Sequence, residues 1–342
     1  MSQINPNFST NCVEIEQLLT DKIYSILMPI QIILLSFILI LIIYLIIYFK
    51  NNKFYLHGNL MILFPNIIAL YFIQTIVLLF CLIRYKILLY TYRNPCDLLT
   101  PVWLVVAIYA PYFINTIAYP FFHFCIMIER ARATLLAERY EKEGRLLGIY
   151  MSLAVWLISI IYYIYISLAA LADTEEFGQP KGLIYITSKY NALPMFYMTI
   201  FTLILMIVTT ICDWRITILN RKIKNLNKNS AKYSLSQNFQ LNENTLSMRL
   251  ILPLDLFYAL FYSFYIVFAI ILRAYKSSMP ITQYILFYNV DDTFLFVHTA
   301  ITLIVYISFI NYIKRYRSRL AKNKLAQEEA KLHFKQLQEI WK

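Results

Sequence analysis

Charge is scarce in this sequence: only 15% of its 342 residues are Asp, Glu, Lys or Arg. A soluble surface needs roughly 25% to stay wet, so a water-soluble globular domain is excluded. Intrinsic disorder fails because it also demands polarity. Glycine is rare, at 5 residues, which rules out collagen-like repeats, and 5 cysteines in this length are too few for a disulfide scaffold. What fills the sequence instead is apolar surface, with 60% hydrophobic residues, including 29 Tyr and 24 Phe. Lipid is the solvent that such a composition suits.

Seven apolar runs reach the roughly 20 residues that a hydrocarbon core requires. They lie at 23–49, 60–83, 102–128, 147–172, 190–212, 250–272 and 293–313. None holds a Lys or Arg, and only the sixth holds an acid, Asp255. In lipid each must satisfy its own backbone, so each is expected to be helical. The expected fold class is an all-α membrane protein, a seven-transmembrane helix bundle at 23–313 between an N-terminal segment, 1–22, and a basic tail, 314–342.

The net charge of +12 sits between the spans, which removes the case for a nucleic-acid partner. The segments after spans one, three and five, with the tail, hold 23 of the 31 basic residues; the remaining segments hold 8. Cytoplasmic loops retain positive charge, so the N-terminus is expected outside and the C-terminus in the cytoplasm. The sole N-glycosylation sequon, Asn7-Phe8-Ser9, lies on the expected outer side. No cleavable signal is evident, since the first 22 residues are polar and the first apolar run is too long for one. Cys12 and Cys96 both fall on the oxidising side, where they either bridge or remain two free thiols. Cys81, Cys125 and Cys212 lie within spans and read as apolar fillers. The loop from Asp213 to Arg249 begins basic and is expected to extend helices five and six. The tail (Lys314, Arg315, Arg317, Arg319) suits anionic inner-leaflet lipid, at about 1 kcal/mol per basic residue near the surface, or is simply solvated.

Polar residues three or four apart share a helix face. Span three carries Asn115, Tyr119 and His123, with Met127 leading on to Arg130. Span seven carries His298, Thr302 and Tyr306, with Asp291 above them. Span four carries Ser152, Trp156, Ser159 and Tyr163. One reading is a ligand cavity between spans three and seven; the other is ordinary interhelical hydrogen bonding. A His in lipid needs a partner, so His123 and His298 are expected to face protein or water. Two His without acids or Cys at ligand spacing make no metal site. Asp255, near the cytoplasmic end, wants a cation or a donor. Either it latches Arg130, joining spans three and six, or Arg130 pairs with Glu129 and Asp255 bonds a hydroxyl such as that of Tyr258. Pro29, Pro65, Pro111, Pro120, Pro194 and Pro253 fall inside spans and are expected to kink or loosen them.

Intramembrane catalysis needs paired acids, a metal set or an activated nucleophile, and no such constellation is present, so an enzyme is not expected. No cofactor is implied, and a retinal Schiff base lacks its Lys in span seven. A transporter built on repeats would show internal symmetry, which is missing, and a ligand-gated channel of the insect olfactory type places its N-terminus inside, against the charge count. These two remain the alternative.

Seven spans with the N-terminus outside resemble the layout of G-protein-coupled receptors, and Glu129-Arg130 at the end of span three resembles their coupling pair. The run Glu129-Arg130-Ala131-Arg132-Ala133-Thr134, with Tyr140-Glu141 beyond, resembles the Glu-Arg-x-x-Ala-Thr signature of nematode serpentine chemoreceptors of the Sra superfamily. Tyr233-Ser234-Leu235-Ser236, Phe239-Gln240 and Glu243-Asn244 resemble the third cytoplasmic loop of class epsilon (sre) receptors, and Phe334, Leu337 and Trp341 resemble their ending. Asn238 departs from the basic residue of that class. Rhodopsin-like switch motifs are absent: span seven has no Asn-Pro-x-x-Tyr, span six no Trp-x-Pro, and the loop 173–189 has no Cys to meet Cys96. The resemblance implies a chemosensory receptor in the plasma membrane, in sensory-neuron cilia. It would bind a small environmental or pheromone-like molecule through residues such as Asn115, Tyr119, His123, His298, Thr302 and Tyr306. It would signal to a heterotrimeric G protein through Glu129, Arg130 and Asp255.

Overall fold

A computed structural model describes residues 6–51, 58–136, 140, 144–181, 186–228, 235–275 and 278–340. Glu141, Tyr233, Ser234 and Trp341 lie outside the described residues, as do the side chains of Asn7, Phe239, Gln240, Phe334 and Leu337. The elements run α1 (Pro6–Thr20), α2 (Lys22–Asn51), α3 (Leu60–Thr91), a 3-10 turn (Pro95–Leu98), α4 (Val102–Leu135), α5 (Leu146–Leu171), the single turn α6 (Thr174–Phe177), α7 (Ala192–Lys228), α8 (Leu235–Tyr275) and α9 (Ile281–Ile340). Among the described residues seven helices are long and apolar enough to cross a membrane: α2, α3, α4, α5, α7, α8 and α9.

The sequence of α2 shows why lipid is its surroundings. Met28, Gln31, Leu35, Ile38, Ile42 and Leu45 face the bundle, while Ile26, Ile33, Ile40 and Ile47 face away and stay exposed. Both faces are apolar at helical spacing, a pattern that water would penalise and hydrocarbon does not. The core helix is α4, which packs on α3, α5, α7 and α8; α9 then closes the ring against α8 and α2. Gly148 opens α5 against the start of α3. Its N–H donates to Asn59 Oδ1 at 3.0 Å, and a Cβ there would stand 3.0 Å from the Asn59 backbone.

Two element ends differ from the sequence expectation. The last membrane span runs from Thr282 to Tyr312, so it takes in Asp291 and Asp292, which as charges read as loop. Both are accommodated inside the bundle, where Asp291 is fully buried. Pro194 stands in the first turn of α7, where its missing N–H has no intrahelical partner to lose, so it does not kink the span. Pro29, Pro65, Pro111, Pro120 and Pro253 do lie within helices.

One end of the bundle is covered by α1. A disulfide joins Cys12 on α1 to Cys96 in the 3-10 turn, so of the two thiol states the bridged one is formed. Asp97 fixes that turn by accepting the backbone N–H groups of Asn94 and Arg93, which hold its carboxyl below the usual range. The loop after α5 is tied to the same end by an isolated backbone bridge, with Thr100 and Lys181 exchanging N–H···O bonds of 2.8 Å. Thr100 is in turn held by the Tyr85 hydroxyl at 2.6 Å and by Arg84 at 3.0 Å. This bridge connects the loop 173–189 to the head of α4, a loop that has no Cys to do so.

Candidate functional site

The polar stripes of α4 and α9 meet, but they meet as a packed cluster. Asn115 donates to Gln74 on α3. The Tyr119 ring lies 4.3 Å from Tyr258 and 4.5 Å from His123. His298 packs 5.1 Å from Tyr258 and has Thr302 Oγ1 3.3 Å from its Nε2. Tyr306 meets Phe64 edge-on at 5.7 Å. Of the six candidate ligand residues, all but Asn115 are buried. The α5 stripe is spent on packing too: Asn66 on α3 accepts from Trp156 Nε1 at 2.8 Å and donates to Ser152, and Tyr163 donates to the Val106 carbonyl.

The hollow is elsewhere, nearer the disulfide. A cavity of about 220 Å³ is enclosed by α2, α3, α4, α7, α8 and α9, with Ile15, Leu18 and Leu19 of α1 and Ile186 and Thr187 of the loop before α7 contributing to its wall. None of Asn115, Tyr119, His123, His298, Thr302 and Tyr306 lines it. Their absence from this wall has a physical cause. Polar groups in lipid are drawn into interhelical bonds, whereas the tyrosines of this wall come from five different helices, which the periodicity of a single helix does not bring together. The cavity's polar corner is a chain of three residues. The Tyr112 hydroxyl donates to Asp292 Oδ1 at 2.9 Å and lies 2.8 Å from the Tyr265 hydroxyl.

Between cavity and cluster runs a ladder of rings on α8. Tyr265 and Tyr262 are 6.0 Å apart and stacked, as are Tyr262 and Tyr258 at 5.2 Å. The first two line the cavity and the third packs on Tyr119, His123 and His298. One turn below Tyr258, Asp255 bonds His123 Nδ1. Asp255 therefore neither latches Arg130 nor bonds the Tyr258 hydroxyl; the partner left out of the sequence reading was the His one helix away.

At the far end Glu129 and Arg130 are both buried and bonded to each other, with Arg130 Nη2 2.6 Å from Glu129 Oε1. Burying the pair together is what makes the burial tolerable, since either charge alone would be uncompensated. Arg130 also donates from Nη1 to Asn244 Oδ1 at 3.2 Å and from Nη2 to the Tyr140 hydroxyl at 3.3 Å. Asn244 Nδ2 donates to Thr134 Oγ1 and lies 3.4 Å from Asn220 Oδ1, so one side chain of α8 joins α4 and α7. Of the two alternatives for Arg130, its pairing with Glu129 is the one present, and the link from α8 to Arg130 is made by Asn244. Sequence reading missed Asn244 and Asn220 as contacts because both stand in a stretch read as a loop, although its helical extension was anticipated.

A model of the family described as serpentine type 7TM GPCR receptor class ab chemoreceptor matches residues 9–342. Two curated proteins of Caenorhabditis elegans are similar to the chain. Serpentine receptor class alpha-39 is 28% identical over 191 residues, 56% of this chain and 49% of that protein. Serpentine receptor class beta-17 is 25% identical over 204 residues, 59% of this chain and 54% of that protein. The chain thus spans about half the length of the curated relatives it matches. The matched model is that of class ab, so the class epsilon likeness of the third loop and tail does not carry the class, while the likeness to nematode serpentine receptors holds.

Proposed function

The chain belongs to the family of class ab serpentine seven-transmembrane chemoreceptors, and from that membership we propose that it detects a small environmental or pheromone-like molecule and signals to a heterotrimeric G protein. The end closed by α1 and the disulfide faces outward, in keeping with the basic residues gathered at the other end. The protein works in the plasma membrane, in the cilia of sensory neurons.

One observation carries the reading: the cavity and the buried Arg130 cluster are built on the two ends of the same helix pair, α4 and α8. Tyr112 and Arg130 are eighteen residues apart on α4, about 27 Å at helical rise. Tyr265 and Asn244 are twenty-one apart on α8, about 32 Å. A ligand that draws Tyr112, Tyr265 and Asp292 together alters how α8 sits on α4, and the Arg130–Asn244 bond at the other end belongs to the same contact. A ligand favouring the arrangement in which that bond is open shifts the population and frees Arg130 for a G protein. Tyr119, His123, His298, Thr302 and Tyr306 then transmit through packing, without touching the ligand.

The test is expression of the full chain in cultured cells with a reconstituted G protein and a calcium readout, challenged with an extract of candidate odorants. The proposal expects a response that the paired substitution Glu129→Gln with Arg130→Gln, which strands no charge, abolishes at equal surface expression. A response unchanged by that substitution rejects the coupling role.

A further inference from the structure

Resting on the reading of this cavity as the ligand site, we propose that it selects a small, protonated amine carried on an apolar or aromatic body. Three observations point the same way.

The wall carries charge of one sign. Asp292 is the only ionisable acid or base among the described lining residues apart from tyrosine and Cys81, and no Lys, Arg or His faces it. One of its oxygens accepts from Tyr112; the other has no hydrogen-bond partner among the described residues. Directly beside it in the chain, Asp291 is fully buried, and neither of its carboxylate oxygens has a hydrogen-bond partner among the described residues. Two adjacent carboxyl groups inside a membrane helix without a cation are costly, and a ligand that brings the cation removes that cost. A carboxylate ligand would add to it.

The rest of the wall suits the same ligand. Eight tyrosines and three phenylalanines line the cavity, and ring faces attract a desolvated cation while packing against an apolar body. The volume of about 220 Å³ is below the roughly 300–1,000 Å³ of drug-sized sites, which limits the ligand to a small molecule. Ile15, Leu18 and Leu19 of α1, all buried, add apolar surface to the cavity wall, and an apolar surround strengthens an ionic contact.

The experiment compares three probes of one shape on the full chain purified in lipid nanodiscs: 2-phenylethylamine, 2-phenylethanol and phenylacetate. Stabilisation against heat is read as a function of concentration. The amine is expected to half-saturate at a concentration at least tenfold below the alcohol, and phenylacetate to give no shift. In Asp292→Asn the amine is expected to fall to the level of the alcohol, whose own response reports that the variant is folded. In Asp291→Asn, which does not line the cavity, the amine is expected to keep part of its lead. Equal half-saturation of amine and alcohol, or an amine lead that survives Asp292→Asn, overturns the amine class while leaving the cavity as the ligand site. No shift with any probe overturns both the amine class and the cavity as the site. The Arg130-dependent signalling assay decides the receptor reading separately.

Discussion

At the residue scale the buried polar groups differ in whether a contact can be removed without stranding a charge. Arg130 keeps its charge compensated through Glu129 whether or not Asn244 is present, so the Asn244 contact can be removed without stranding a charge. Asn244→Ala is therefore expected to raise basal G-protein activation at least twofold with surface expression retained. Asp255→Asn keeps an acceptor for His123 and is expected to change basal activity little, measured in the same assay. Glu129→Ala does strand the guanidinium, and a broken buried pair costs about 3–5 kcal/mol, so surface expression and thermal stability should drop sharply. Asp255 was legible as important because an acid within a span is rare, and Glu129 and Arg130 through their place at the end of span three and the signature they resemble. Their partners were not, because a helix periodicity gives a face but not the register of the neighbouring helix. His123 meeting Asp255, and Asn244 meeting Arg130, both cross that gap.

At the scale of elements, the seven membrane helices could be read from the run of apolar residues, because lipid demands length and the absence of charge and little else. Where an acid interrupts the run the same rule misplaces the boundary, as at Asp291 and Asp292 in α9. The close approach of α5 to α3 rests on Gly148. Gly148→Ala sets a methyl 3.0 Å from the Asn59 backbone and is expected to cost about 1–3 kcal/mol, seen as a lower unfolding midpoint. Gly144→Ala, with nothing within 4 Å, serves as the neutral comparison. The other element with a separable role is α1. Beyond the main chain that runs on into α2, it is tied covalently to the 3-10 turn by the Cys12–Cys96 bridge, and three of its side chains complete the cavity wall. A Cys96→Ser variant, or reduction of the native chain, is expected to weaken ligand affinity about tenfold, ~1.4 kcal/mol, while leaving the Arg130 cluster intact. Radioligand or fluorescence binding before and after reduction checks this. Sequence could say that the two cysteines share a compartment, but not that α1 folds back over the bundle.

At the scale of the whole molecule, the bundle places an aromatic, acid-bearing hollow at one end and a compensated arginine at the other, joined by α4, α8 and the tyrosine ladder between them. That arrangement follows from the physics of lipid: polar groups bond between helices near the middle, and a free volume survives where tyrosine and phenylalanine rings pack beneath α1. It has meaning for signalling only if the two ends stand on opposite sides of the membrane. The most direct measurement is epitope accessibility in intact cells, with one tag before Pro6 and a second after Trp341. Labelling of the first tag in intact cells, and of the second only after permeabilisation, is the predicted result. Labelling of both tags from the same side contradicts the account.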